Sequence, residues 1–392
     1  MRIVTILTFL FITNVCCGQT DFTFNNGGTD QVHYYSTLQY ENINDKIIVK
    51  IKIKDSTYRF ILDTGAPTTI TTKLFDELKP NIITKISVSD INAVKDSMVV
   101  VSLNEILVGD IAFKNIPTLV AKPNVVFECF EVDGLIGSNL LRNSILQIDE
   151  SNKKVIITDD VNRLNLNSKQ SSKLFLNGQS SPHVWVKLKN KKQAKELLLF
   201  DSGMQGLYDL SLSHLGTFQK YNIFVALGKG FGSNSLGLHG MAKDTTIYRL
   251  RLPIMEINGN KLLNITTKTT LDNNSSIGAS LLQYGIVTVD YKNKKFYFKP
   301  YSATDIDASE KHFPVSFVPK NNKLSVGTVW DNELNTKKIS VGDQVVAIDG
   351  INYENVNFCD LLLKSILKGK DKILLTTRNN SGKNMETVIV RE

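Results

Sequence analysis

Apolar and polar positions alternate in short runs along most of the chain. Lys46–Lys54 reads KIIVKIKIK, the two-residue period of a half-buried β-strand. Val99–Val108 and Ile116–Val120 follow it, and Val184–Leu188, Thr246–Leu252 and Ile286–Asp290 extend the pattern further on. Gly, Asn and Asp separate these runs as turn formers. The pattern predicts a mostly β chain with one short helix in each repeating unit. Toward the end, Leu324–Val329, Lys372–Thr377 and Thr387–Val390 read as strands, and Asn357–Leu367 as an amphipathic helix.

The first 18 residues follow a different pattern. Met1-Arg2 precedes a largely apolar run over residues 3–12 and an exit of small residues. This predicts a secretory signal peptide over 1–18, cleaved between Gly18 and Gln19, and an extracytoplasmic protein, secreted or periplasmic. Cys16 or Cys17 offers the alternative of a lipid anchor. The run is shorter than the roughly 20 residues a transmembrane helix needs, so no transmembrane span is expected.

The chain contains one pattern twice. Residues 136–157 (IGSNLLRNSILQIDESNKKVII) align without a gap with residues 277–298 (IGASLLQYGIVTVDYKNKKFYF). Each copy reads as a tight Ile-Gly turn, a short helix and a hairpin turning at Asn-Lys-Lys. Upstream, FILDTGA at 60–66 matches LLLFDSG at 197–203. Two elements in one order at matched spacing mean two homologous units.

Each unit therefore carries an apolar strand ending in Asp-Thr/Ser-Gly and an apolar Ile-Gly pair further along. A strand-terminal Asp points its carboxylate into a cleft between the units. Thr64 and Ser202 can hydrogen-bond across to the opposite loop. Gly65 and Gly203 lack a Cβ, so backbone can pass close to the carboxylates. Ile136-Gly137 and Ile277-Gly278 would pack behind as apolar support. Two carboxyls at hydrogen-bonding distance share one proton. Such a pair can activate water and protonate a carbonyl without a covalent intermediate. Asp63 and Asp201 are thus the candidate catalytic residues.

On these motifs, residues from about Gln39 to Pro300 resemble the bilobed, retropepsin-like aspartic peptidases of Bacteroidota, in which a PDZ domain often follows. The resemblance rests on Asp63-Thr64-Gly65-Ala66 with Gly134-Leu135-Ile136-Gly137, and on Asp201-Ser202-Gly203 with Ile277-Gly278. It implies two retropepsin/pepsin-like lobes, each a six-stranded barrel-like unit, facing each other across a cleft. The second copy departs from the first at Met204, which stands where the first has Ala66, and at Ser276, which stands where it has Leu135. A bulky side chain there either narrows the cleft or leans into the core. A degenerate second lobe would leave a catalytically inactive bilobed peptide-binding protein, the alternative to an exported endopeptidase. A peptidase of this kind needs a flap. The candidates are Ile91–Met98, with Asn92 and Ala93 at its turn, and Gly228–Gly240, with Gly230 and Gly232.

The expected organisation is a signal peptide (1–18), an N-terminal leader (19–38), a first lobe (39–160), a second lobe (161–303) and a C-terminal α+β PDZ-like domain (304–392). The PDZ resemblance rests on Val341-Gly342-Asp343 through Asp349-Gly350. It implies docking of a C-terminal peptide by strand addition, but Val315–Lys323 lacks the glycines of a carboxylate-binding loop, leaving a structural or docking role open.

Charge and cysteines refine this picture. The formal +8 is uneven: residues 19–150 carry −5, 151–305 carry +11 and 306–392 carry +1. The sign changes where the duplication does, which argues against nucleic acid as the partner, and the resemblance implies a peptide or unfolded protein instead. After cleavage only Cys129 and Cys359 remain, 230 residues apart in different expected domains. The separation argues against a disulfide framework, although an exported chain permits one, and Cys359 reads as a core residue of its helix. The five His residues (His33, His183, His214, His239 and His312) have no metal-ligand spacing, so neither metal nor cofactor is expected.

Overall fold

The computed structural model describes residues 22–392 except 91, 93, 234, 235, 239, 303, 304, 321, 322, 332–337 and 365. The signal-peptide expectation, with Cys16 and Cys17, lies outside the described residues, as do the flap-candidate Ala93, Ile91 at the start of its stretch, and His239. No helix among the described residues is long and apolar enough to cross a membrane.

The first half opens with the hairpin β1 (Tyr35–Ile43) and β2 (Lys46–Ile53), turning at Asn44 and Asp45. Both turn residues have positive φ, 48° and 64°, which suits the right-handed twist of a two-residue hairpin. Next come β3 (Ser56–Asp63), β4 (Thr69–Thr71) and helix α1 (Thr72–Leu78). A long hairpin of β5 (Asn81–Ser89) and β6 (Lys95–Val108) leads into β7 (Ile111–Ala121). Helix α2 (Val125–Cys129) is capped by the Asn124 side chain, which accepts from the Val126 and Phe127 amides. Strand β8 (Gly134–Gly137), helix α3 (Ser138–Leu141) and the hairpin β9 (Ile145–Asp149) and β10 (Lys154–Thr158) complete the half.

The second half repeats this order. Its strands are β11 (Ser171–Leu176), β12 (Pro182–Lys189), β13 (Gln193–Asp201) and β14 (Tyr208–Ser211), then helix α4 (Leu212–Lys220). Strand β15 (Val225–Gly232) leads through the short pair β16 (Leu236–Gly237) and β17 (Gly240–Met241) to β18 (Thr245–Ile257) and β19 (Asn260–Thr270). Strand β20 (Ser276–Gly278) and the hairpin β21 (Gly285–Asp290) and β22 (Lys295–Pro300) close it.

The duplication is visible in the pairings. Strand β3 runs parallel to β8, and β13 parallel to β20. Strand β4 lies between β7 and β8, and β14 between β19 and β20. The terminal hairpins of the halves join through β9 and β21 into an antiparallel sheet of order β1-β10-β9-β21-β22-β11. One continuous apolar core, containing Phe60, Leu62, Ile148, Phe200, Val287 and Phe296, runs through both halves.

The remaining chain adds β23 (Ile306–Asp307), the hairpin β24 (Val315–Lys320) and β25 (Lys323–Trp330), and then β26 (Gln344–Ile348) and β27 (Ile351–Asn352). Helix α5 (Phe358–Leu363) and the hairpin β28 (Lys372–Arg378) and β29 (Asn384–Val390) follow, over their own apolar cluster around Val326, Val345, Ile348 and Leu375.

Three expectations are corrected. The Ile-Gly pairs are not turns. Ile136 and Gly137 end β8, and Ile277 and Gly278 end β20, as parallel partners of the Asp-bearing strands. Local sequence cannot distinguish a strand of three or four residues paired across the fold from a turn. Helix α5 is shorter than Asn357–Leu367, because the chain turns extended at Lys364 (φ −102°, ψ 118°). Cys129 and Cys359 form a disulfide, with their Cα atoms 4.8 Å apart. Their wide separation in sequence is bridged because α5 packs against α2, bringing two cysteines of different segments together.

Candidate active site

Asp63 ends β3 and Asp201 ends β13, each held by a parallel partner strand, and both line a cavity of about 640 Å³. Each carboxyl is gripped by its own loop. Asp63 Oδ1 accepts from the Gly65 and Ala66 amides, both at 3.0 Å. Asp201 Oδ1 accepts from the Gly203 and Met204 amides, at 2.8 and 3.1 Å. Each carboxyl lies against the glycine of the opposite loop, which brings the two groups together in the cavity.

Thr64 and Ser202 lock the two loops together. The Thr64 hydroxyl donates to the Phe200 carbonyl at 2.6 Å, and the Ser202 hydroxyl to that of Leu62 at 2.8 Å. Each hydroxyl also accepts the other residue's amide, at 3.0 and 3.1 Å. Both residues are fully buried. The glycines are required by close approach. A Cβ on Gly65 would lie 2.5 Å from the Asp201 carboxyl carbon, and one on Gly203 would collide with the Asp63 carboxyl. Gly137 and Gly278 fill the same need one layer back, where a Cβ would meet the backbone at Ala66–Thr68 and at Met204. Ile136 and Ile277 are buried in the core beneath them.

Electrostatics couple the two carboxyls. Burial raises both above the usual carboxylate range. For Asp201 the Asp63 charge adds to burial, and the Lys46 ammonium and the loop amides of Gly65 and Gly203 pull the two carboxyls back down. The titrating proton therefore belongs to the pair.

Lys46 is the functional-site residue that sequence reasoning missed. It opens β2 immediately after the Asn44-Asp45 turn, lines the cavity, and donates from Nζ to the Gly203 carbonyl. Its ammonium is desolvated, which lowers its pKa, while Asp63, Asp201 and Asp45 oppose the shift. On the other side of the pair, no cation among the described residues takes this place. The Gly65 carbonyl accepts instead from Gln179 Nε2 at 3.0 Å and Ser181 Oγ at 3.2 Å. In sequence Lys46 is one lysine of an alternating strand, and nothing local marks it out. A further brace comes from Ser138, whose hydroxyl donates to the Thr64 carbonyl at 2.7 Å and meets the buried Tyr291 hydroxyl at 2.9 Å.

Met204 takes the place of Ala66 in the backbone pattern, and its side chain tucks against Gly278, largely buried. Asn92 stands at the β5–β6 turn and donates from Nδ2 to the Gly240 carbonyl at 2.9 Å, so the two hairpin tips meet. Leu238 and Met241 from the second tip line the cavity. Gly230 and Gly232 do not lie at a tip. They sit in β15 where it pairs with β25, opposite Trp330 and Thr328. A Cβ on Gly230 would lie 2.8 Å from the Trp330 ring, and one on Gly232 would strike the Gly327 carbonyl. These two glycines serve a strand contact away from the hairpin tip. Among the described residues, no group of three or more His, Cys, Asp or Glu is placed to hold a metal ion.

Comparison with known proteins gives two results. Residues 49–140 match the family model described as aspartyl protease, so this stretch is related to the aspartic-protease superfamily. Among solved structures, the aspartic proteinase from Irpex lacteus matches over 69% of this chain and 100% of its own, at 12% identity and a TM-score of 0.43. A search of curated proteins gives no match.

Proposed function

We propose that the protein is an aspartic-type endopeptidase in which Asp63 and Asp201 activate one water molecule. The single observation that carries this reading is the convergence of two carboxyls in one cavity, each held by its own loop's amides and each against the opposite loop's glycine. The charged member, Asp63, takes a proton from the water. Its oxygen attacks the peptide carbon while protonated Asp201 donates to the carbonyl oxygen. The tetrahedral diol collapses: one hydroxyl returns its proton to Asp201, the C–N bond breaks, and the proton on Asp63 passes to the leaving nitrogen. No covalent enzyme intermediate forms. Backbone donors from Gly65, Ala66, Gly203 and Met204 keep the carboxyls in position, so orientation is set before substrate arrives.

In this reading residues 39–160 and 161–303 act as two acid-protease lobes, and the hairpin tips at Asn92 and Gly240 close over the substrate. The residue that favoured an inactive peptide-binding protein, Met204, keeps the amide contact that Ala66 makes, which supports catalysis over that alternative. Residues 304–392 act as a PDZ-like docking unit. The pairing of β25 with β15 of the same chain supports an internal docking role over capture of a free C-terminal peptide. A statine-type inhibitor, which carries a hydroxyl where the diol forms, tests the reading. It should abolish cleavage of an unfolded protein and compete with peptide substrates. Cleavage indifferent to a saturating inhibitor, or blocked by a serine- or metal-directed reagent, would sink it.

A further inference from the structure

A second cavity, of about 570 Å³, lies in the seam between the second half and the C-terminal segment. Five cationic side chains line it. Arg249 of β18 and Lys268 of β19 are register partners on the second half. Lys311, Lys364 and Arg391 come from the C-terminal segment. The carboxylates of the lining are Asp209 and Glu310. Among the described residues only Lys364 of the five cations is in salt-bridge contact, with Asp360 at 3.1 Å.

Rings and carbonyls, rather than carboxylates, hold the two arginines in place. The Arg249 guanidinium lies 4.1 Å from the Trp330 ring centroid and donates to the Phe313 carbonyl at 3.1 Å. The Arg391 guanidinium lies 5.0 Å from the Phe313 ring centroid and donates to the Leu367 carbonyl at 2.8 Å. Neither contact brings an opposite charge. The His312 imidazole is lowered to about 4, first by burial and then by the charges of Arg249, Arg391 and Lys268. An imidazole kept neutral among three cations reports a positive local potential. Arg391 Nε and His312 Nε2 are buried without a hydrogen-bond partner. Like charges gathered in one place repel one another, and an anion relieves that repulsion.

The seam adjoins the dyad cavity. Gln205, Asp209, Lys268, Phe317, Pro319 and Leu362 line both. We propose that the seam lined by Arg249, Lys268, Lys311 and Arg391 docks an acidic stretch of the substrate peptide, a few residues away from the bond held at the dyad. This rests on a peptide being the ligand of the dyad cleft, and it names the class of that peptide. Asp and Glu side chains entering the seam meet guanidinium and ammonium donors, and hydrogen bonds between charged partners are the strong ones. A basic stretch meets like charges instead. The wider surroundings act in the same sense, since residues 151–305 carry a net +11. Selectivity at these positions is set jointly by the second half and the C-terminal segment.

The test is a binding selection that does not need turnover. Full-length Asp201→Asn protein is incubated with a randomised peptide library, and bound peptides are identified by mass spectrometry. Asp or Glu should be enriched at neighbouring positions of the bound peptides. Adding the pair Lys268→Gln/Lys311→Gln should reduce that enrichment about fivefold, and raising the salt to about 1 M should weaken it in the parent. Lys311 is exposed, so Lys311→Glu serves as a second variant that leaves the packing alone, and it should turn the preference toward Lys and Arg. Thermal melting confirms which variants are folded. No acidic enrichment in the parent, or enrichment unchanged in the folded variants, overturns the proposal. Saturable micromolar binding of inorganic phosphate alone, without acidic enrichment among peptides, assigns the seam to a small anion and overturns it as well. Cleavage by the wild type is read separately. Acidic enrichment that follows the charges without any cleavage leaves the docking site standing and removes the peptidase reading. Cleavage with selection indifferent to the charges does the reverse.

Discussion

Thr64 and Ser202 hold one another in a reciprocal grip. Each side-chain hydroxyl accepts the other's backbone amide and donates to a carbonyl just before the other's Asp. Four hydrogen bonds thereby join the ends of β3 and β13 at zero exposure. Replacing Thr64 by Val keeps the shape and removes the hydroxyl, leaving the Phe200 carbonyl and the Ser202 amide buried without that partner. The expected loss is about 1–3 kcal/mol in urea unfolding, with lowered activity. Thr64→Ser keeps the bonds and loses a methyl, so it should cost about 1 kcal/mol or less.

Asp201→Asn separates catalysis from stability. The Asn oxygen can still accept from Gly203 and Met204, and its amide can donate to Asp63. Because the folded-state pKa of Asp201 is raised, the native protein keeps a proton that the unfolded chain has released. Its contribution to stability is full below the ordinary carboxylate pKa and falls as pH rises toward the raised value. The neutral variant escapes that loss. Its melting temperature should exceed wild type near neutral pH by roughly 2 °C. The difference should vanish in acid, while activity is lost. A melting temperature below wild type at pH 7 would contradict the burial argument.

Lys46 should set the working pH of the proposed dyad. Its ammonium holds both carboxyls below where burial alone would leave them. Lys46→Gln can still donate to the Gly203 carbonyl but carries no charge. Both limbs of the bell-shaped profile of kcat/KM should move to higher pH, by about one unit. An unmoved profile would mean the ammonium does not act on the dyad.

The two halves were legible in the sequence because a motif pair recurs at matched spacing, and Asp63 and Asp201 followed from it. What was not legible is non-local. The parallel pairing that turns Ile136-Gly137 and Ile277-Gly278 into strand ends depends on chain far away. So does the placement of Lys46, which its strand pattern leaves as one alternating lysine among several. Gly230 and Gly232 read as flap glycines because the contact that demands them comes from Trp330 and Gly327, about a hundred residues on. The Cys129–Cys359 bond was hidden for the same reason. Sequence separation said nothing of α2 and α5 packing together.

That disulfide should contribute to stability. It closes a loop of 230 residues between its cysteines. Its reduction, or the Cys129→Ser/Cys359→Ser pair, should cost about 2–4 kcal/mol, seen as a lower melting temperature under reductant. Wild-type protein melting identically with and without reductant would argue that the tether adds nothing beyond the packing of α5.

The most direct test of the central claim is cleavage of an unfolded protein or peptide library by wild type, Asp63→Asn and Asp201→Asn, read by mass spectrometry. A shared-proton dyad predicts cutting by the wild type and a loss of about 10²–10⁴-fold or more in each variant alike. Full activity in either variant, or a folded wild type that cuts nothing, would contradict it.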